Sequence, residues 1–313
     1  MAVWFFVKER GELSELRHYL GMASPAWVLA GMALTGLYIL LQGLMYQHTL
    51  RAAGARALLS DTTRLYLKRN FVSPFLPAGG MVSLGMFGEP LQKRGVAPTA
   101  LHFATSLYAL VGLASLGAIS VPVLLYLLWQ KKLSGGETLG FLWVLILLVV
   151  IGGLIGSLKN GGKAAQFLLK KAPGLEAILT ELRSHPLVAR EVLKSLAASF
   201  GIEAVGMLHL WMAMQALGLN TNWKAAAVSY VVSILVMTVS PFLRGLGAVE
   251  LAMAFVLAQF GMAPIEAMAT TLLFRFFEFW LVLLAGLGAF LQSLVGRVLP
   301  PSFLFALGLA NIV

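Results

Sequence analysis

Five ionisable side chains lie in stretches where nearly everything else is apolar. Glu203 sits in "AASFGIEAVGM", Arg244 and Glu250 in "VSPFLRGLGAVELAM", and Arg275 and Glu278 in "TLLFRFFEFW". Such a group inside a bilayer costs about 2.5–3.5 kcal/mol on insertion scales, so it faces a partner or a polar cavity. A guanidinium such as that of Arg244 or Arg275 suits a phosphate, which it can grip through two parallel N–H bonds. Arg275 and Glu278, at i and i+3, share a helix face. A structural use is equally open, with the two arginines neutralising Glu250 and Glu278. Glu266, just past Pro264, reads as interfacial.

Other chemistries find no footing. His102 and His209 stand alone, without a second ligand at useful spacing, so no metal is expected. There is no cysteine, hence no disulfide framework and no thiolate nucleophile. No GxxxxGK[ST] loop is present, and "GLGAVE" lacks a surrounding strand–helix unit, so no nucleotide or other cofactor is expected. Neither a Ser–His–Asp order nor His-Glu-x-x-His occurs. The chain reads as a transporter-type membrane domain rather than an enzyme.

The elements that must position these charges are membrane helices. Only 12% of the residues are charged, 59% are apolar, and the mean hydropathy is +0.86; a soluble domain carries about a quarter charged residues. Residues 26–46, 95–130 and 138–158 hold no charge at all. Apolar runs of about 20 residues read as transmembrane helices, and the alternation of a barrel is missing. Five full spans are predicted, at 26–46, 98–128, 138–157, 195–217 and 263–295, in an all-α polytopic membrane protein. The net charge of +10 is then loop Lys/Arg facing anionic lipid, with no nucleic-acid partner. Residues 47–97 carry seven Lys/Arg against two acids, and residues 158–194 seven against three. The positive-inside rule places both in the cytoplasm and the loops at 129–137 and 218–224 outside.

"VSPFL" occurs twice, at 72–76 and 239–243. Each copy continues through a Gly-rich turn into an apolar stretch ending in GxAP. Pro74, Pro77 and Pro241 remove backbone donors, beside Ser73 and Ser240. Gly79, Gly80, Gly245 and Gly247 permit turns closed to other residues. Two broken, re-entrant helical segments are therefore expected, near 62–95 and 225–258. Three spans separate them, and an odd number inverts the second copy. The expectation is an inverted-topology repeat, the design with which transporters place a site near the midplane; two kinked ordinary helices are the alternative. The chain divides into an opening segment 1–25, a first repeat 26–128, a connecting span and basic loop 129–194, a second repeat 195–295, and a tail 296–313. "AVWFFV" at the start and "LPPSFLFALGLANIV" at the end read as cut from a longer protein.

The pairing of "NFVSPFLPAGG" with "VSPFLRGLGAVELAMAFVLAQFGMAPIEAMATTLLFRFFEFW" resembles the lysylphosphatidylglycerol synthase transmembrane family. Pro241, Gly245, Gly247, Glu250 and Arg275 carry the likeness, which extends over about residues 26–295. The resemblance implies a multi-pass flippase of the bacterial cytoplasmic (inner) membrane. Its substrate is an aminoacylated, lysyl-type phosphatidylglycerol, moved from inner to outer leaflet, which gives resistance to cationic antimicrobial peptides. Glu250, Glu278 and Glu203 then suit the cationic headgroup, and Arg244 or Arg275 its phosphate. It further implies a cytoplasmic aminoacyltransferase domain in many full-length members. A homo-oligomer is compatible with such a chain. A flippase for another lipid-linked substrate and a non-transporting anchor for a partner aminoacyltransferase are the other readings.

Overall fold

A computed structural model describes residues 10–75, 88–129, 188–220, 222–239 and 245–298, and all its regular structure there is helical. In chain order the helices are α1 (Arg10–Gly21), α2 (Pro25–Ala52), α3 (Leu59–Val72), α4 (Glu89–Lys93), α5 (Pro98–Trp129), α6 (Ala189–Ala216), α7 (Trp223–Val239), α8 (Ala248–Gln259), α9 (Pro264–Arg275) and α10 (Leu281–Val298). A 3-10 turn, Ser73–Phe75, follows α3, and a π-helical turn, Phe276–Trp280, joins α9 to α10. Among the described residues four helices are long and apolar enough to cross a membrane: Pro25–Ala52, Pro98–Leu127, Ala189–Ala216 and Pro264–Ser293. They correspond to four of the five predicted spans. The fifth, 138–157, and most of the basic loop lie outside the described residues.

Helices α2 and α6 form the central pair. Ser24 N donates to Ala216 O at 2.7 Å and Val188 N to Ala52 O at 3.5 Å, so the two run antiparallel with their ends level. Buried Tyr38, Met45, Leu50, Ile202 and Val205 fill the seam between them and α5. Large apolar side chains point outward as well: Leu29, Leu37, Leu40, Leu251 and Leu284 are all more than 40% exposed. Lipid is the solvent that tolerates such a surface.

The loop expected from residue 47 onward is shorter than hydropathy suggests. Helix α2 continues to Ala52 and α3 begins at Leu59. Gln47 and Thr49 are polar yet buried, with Gln47 Nε2 donating to Ala57 O at 2.9 Å. Helix α3 buries Thr62, Leu65, Tyr66 and Asn70 along one face. It packs very closely on α2 and α10: a Cβ at Gly43 would collide with the Thr63 side chain, and one at Gly286 would come within 2.6 Å of Leu67 O.

For each expected broken segment, the described residues that flank it on its two sides lie at one and the same end of the bundle. Helix α7 starts beside the Ala216 end of α6, and α8 finishes at Phe260–Met262, beside Gly218 and Leu219. The two pack against each other as a helical hairpin. The 12 residues of α8 reach about 18 Å, little more than half of a hydrocarbon core of about 30 Å. At the opposite end of the bundle, Asp61 of α3 and Arg94 beyond α4 pair at 2.6 Å. So the first segment opens at the Ala52 end and the second at the Ala216 end. Ser73 and Pro74 lie in the 3-10 turn. Gly245 and Gly247 have φ of +74° and +86°, conformations that only glycine adopts without strain. Pro77, Gly79, Gly80, Ser240, Pro241 and Arg244 lie outside the described residues.

Candidate functional site

A cavity of about 190 Å³ lies between α2, α5, α6, the α7–α8 hairpin and the last span. Its polar lining includes Gln42, Tyr108, Glu203, Tyr230, Arg275 and Glu278. Helix α6 supplies Glu203, which is only 7% exposed. Tyr230 Oη of α7 donates to Glu203 Oε2 at 2.9 Å, and Ser115 Oγ of α5 lies 3.5 Å from Oε1. Ser115 in turn sits 2.6 Å from Ser199 Oγ. The tyrosine reaches Glu203 because residue 206 is glycine; any Cβ there would collide with the Tyr230 ring. The Tyr108 hydroxyl donates to Gln42 Oε1.

Arg275 ends α9 with 5% of its side chain exposed. Its Nε donates to Glu250 Oε1 at 2.6 Å, and its guanidinium carbon lies 4.6 Å from the centre of the Phe279 ring. Its Nη2 is buried with no hydrogen-bond partner among the described residues. A buried guanidinium N–H without an acceptor is costly. Glu250 is not on the cavity wall. Its other oxygen, Oε2, accepts from Gly247 N at 2.6 Å, the cap of α8. This one carboxylate therefore ties the hairpin turn to the arginine. Glu266 does the same kind of capping for α9, accepting from Ala263 N at 3.0 Å.

Arg275 and Glu278 do not pair, although the i,i+3 spacing suggests it. The π-helical turn opens directly after Arg275, with Leu281 N bonded to Phe276 O, and Glu278 falls inside it. Glu278 Oε1 lies 3.2 Å from His209 Nδ1. His209 is fully buried. Its Nε2 lies 3.2 Å from Gly31 O and 3.3 Å from Thr35 Oγ1. The Thr35 hydroxyl reaches both Gly31 O and Phe277 O at 3.1 Å, which helps to hold the widened turn against α2. Gly31 permits that approach, since a Cβ there would stand 2.5 Å from the Phe277 ring. π-helical turns of this kind occur often at functional sites.

Of the predicted charges, Glu203, Arg275 and Glu278 line one cavity, and Glu250 stands behind Arg275. Sequence reasoning weighed His209 only as a metal ligand and passed over its role as the partner of Glu278. Tyr38, Gln42, Tyr108 and Tyr230 were also missed. Their signal was present: polar groups inside apolar spans, such as Gln42 in "ILLQGLM" and His209 in "GMLHLWM". A larger crevice, about 600 Å³, opens at the Ala52 end and is lined by Arg51, Arg56, Asp61, Arg94 and Glu191. Arg51, Arg56 and Arg94 there are exposed, whereas the charges of the smaller cavity lie inside the apolar bundle. Compared with known proteins, the chain matches over residues 1–286 the family model described as the lysylphosphatidylglycerol synthase TM region. No curated protein matches it.

Proposed function

The chain belongs to the lysylphosphatidylglycerol synthase transmembrane family, a multi-pass membrane domain of the lysylphosphatidylglycerol system, and from that premise we propose that it is a flippase for aminoacylated phosphatidylglycerol. In this reading it moves the lipid from the inner to the outer leaflet of a bacterial cytoplasmic membrane and so lowers sensitivity to cationic peptides. The observation that carries the proposal is the charge pattern of the buried cavity. An arginine with an unused buried N–H and two carboxylates, Glu203 and Glu278, face one space within the apolar bundle. That set complements a headgroup that joins a phosphate to ammonium groups. It asks more than a membrane anchor needs, because ionisable groups inside an apolar bundle are costly.

The two broken segments, opening at opposite ends, fit an inverted repeat with its site between them. Ligand pockets are commonly about 300–1,000 Å³, and this cavity is smaller, about 190 Å³. Admission of a headgroup requires the α7–α8 hairpin to part from α9, and the Glu250–Arg275 bond is the tie across that boundary. The test is outer-leaflet exposure of lysylphosphatidylglycerol in cells that synthesise it. Glu278→Gln and Arg275→Met should each lower exposure about tenfold or more, the scale of a lost hydrogen bond to a charged group. Undiminished exposure in both, at equal protein level, sinks the proposal.

A further inference from the structure

We infer that the His209–Glu278 pair is a proton-exchange site, and that lipid transfer is coupled to the movement of a proton in the opposite direction; this rests on the flippase reading above. Gly31 O, 3.2 Å from Nε2, is a carbonyl oxygen and can only accept. The Thr35 hydroxyl has one hydrogen, for which Gly31 O, Phe277 O and Nε2 are all in range; with it on Phe277 O, the hydroxyl presents an acceptor to Nε2, as the Gly31 carbonyl does. Nε2 therefore carries a hydrogen. On the other side of the ring, Nδ1 meets Glu278 Oε1 at 3.2 Å. With Nε2 already protonated, a neutral imidazole offers a lone pair at Nδ1, and a carboxylate offers another. Two lone pairs do not make a contact in a buried site. With the hydrogen on Nε2, one further proton lies between Nδ1 and the carboxylate.

The pair is asymmetric in its access. The His209 side chain is fully buried, whereas 14% of the Glu278 side chain is exposed and it lines the cavity. Glu278 is thus one carboxylate with two possible counter-ions, a fixed histidine behind it and whatever cation enters in front. The other titratable and charged groups around the pair are Tyr38 of α2, whose ring lies 6.3 Å from that of His209, Glu203 of α6, Tyr230 of α7, and Arg275 of α9. Glu203 is engaged with Tyr230 and Arg275 with Glu250. No basic side chain other than His209 is bonded to Glu278 among the described residues.

The exchange balances. An arriving ammonium group forms its ion pair with the Glu278 carboxylate, and the shared proton leaves through the cavity. His209 remains neutral with its Nε2–H on Gly31 O. Departure of the lipid leaves the carboxylate and the Nδ1 lone pair facing each other, and the site takes up a proton again. One cation enters as one proton leaves. Since the lysyl-type lipid carries a net positive charge, the exchange moves no net charge, and a pH gradient alone can drive it.

The experiment uses the full chain in liposomes with lysylphosphatidylglycerol, a pH gradient of either sign, and an impermeant amine-reactive reagent to read the outer leaflet. Protein-free vesicles supply the passive background, and unmodified phosphatidylglycerol supplies a lipid without ammonium groups. In the wild type, the lysyl lipid should gather on the acidic side, towards about a tenfold leaflet ratio for one pH unit. Reversing the gradient should reverse the distribution, and a protonophore should abolish it. His209→Asn, which can still bond Glu278 but holds no exchangeable proton, should lose the response to the gradient. If that variant fails to fold, the wild-type arms decide alone. Protein-dependent transfer that reaches the same leaflet ratio with and without a gradient overturns proton coupling and leaves the flippase reading intact. No protein-dependent transfer in any arm overturns both.

Discussion

Arg275 has two uses for its guanidinium, and they can be separated. Through Nε it holds Glu250, which caps the hairpin turn at Gly247; its Nη2 is buried without a partner among the described residues, and the side chain lines the cavity. Removing only the acid leaves a buried cation without its partner. Glu250→Ala should therefore destabilise the protein by about 3–5 kcal/mol, measured as loss of the folded, detergent-soluble protein on heating. Replacing both members with apolar residues of similar size is often neutral for stability. The double variant Glu250→Leu/Arg275→Leu should thus fold and insert, yet transfer no lysyl lipid. Transfer at the wild-type rate by a well-folded double variant means that these charges only hold the turn.

At the scale of elements, the site depends on how closely helices approach. Glycines at 31, 43, 206 and 286 are the positions where α2, α6 and α10 come closest to their neighbours. Gly206 matters most, because the Tyr230 ring occupies the space of its missing Cβ and thereby brings Oη to Glu203. Gly206→Ala should cost about 1–3 kcal/mol from overpacking. It should also detach Tyr230 from the carboxylate. Tyr230→Phe removes the same hydrogen bond without the steric strain. Transfer by the two variants, each normalised to folded protein, should fall to a similar extent. A normal Tyr230→Phe rate would show that the contact serves packing alone.

The whole molecule has two unlike ends. The Ala52 end gathers Arg51, Arg56, Arg94, Arg190 and Lys194, whereas beside Ala216 lie Lys224 and α1, in which Arg10 and Arg17 are balanced by Glu12 and Glu15. The positive-inside rule assigns the first to the cytoplasm. The chain has no native cysteine, so single cysteines report sidedness directly. In intact cells, an impermeant thiol reagent should label Asn220→Cys and Gly135→Cys but spare Arg56→Cys and Gly161→Cys. Labelling at Arg56→Cys inverts the assignment, and with it the direction from which a lipid first meets each broken segment.

Some of this was settled by the sequence alone. Long uncharged runs have one stable form in lipid, the helix, so the class of fold and four of the spans were legible from residue order. The VSPFL repeats lead to the expectation of two broken segments, because proline and glycine act on their own backbone; residues 76–87 and 240–244 lie outside the described residues. Glu203, Arg275 and Glu278 announced a polar interior by their cost. What residue order could not supply was partnership, since that depends on which helix faces which. Only the packed bundle gave Arg275 to Glu250 and Glu278 to His209, across 25 and 69 residues of chain. The reason is the π-helical turn: it separates two charges that a regular helix would present together, and its widening is stabilised by Thr35 of α2 and by the missing side chain of Gly31. Likewise Gln47 and Thr49 read as loop because hydropathy counts polar atoms, whereas in the bundle those atoms are buried and bonded.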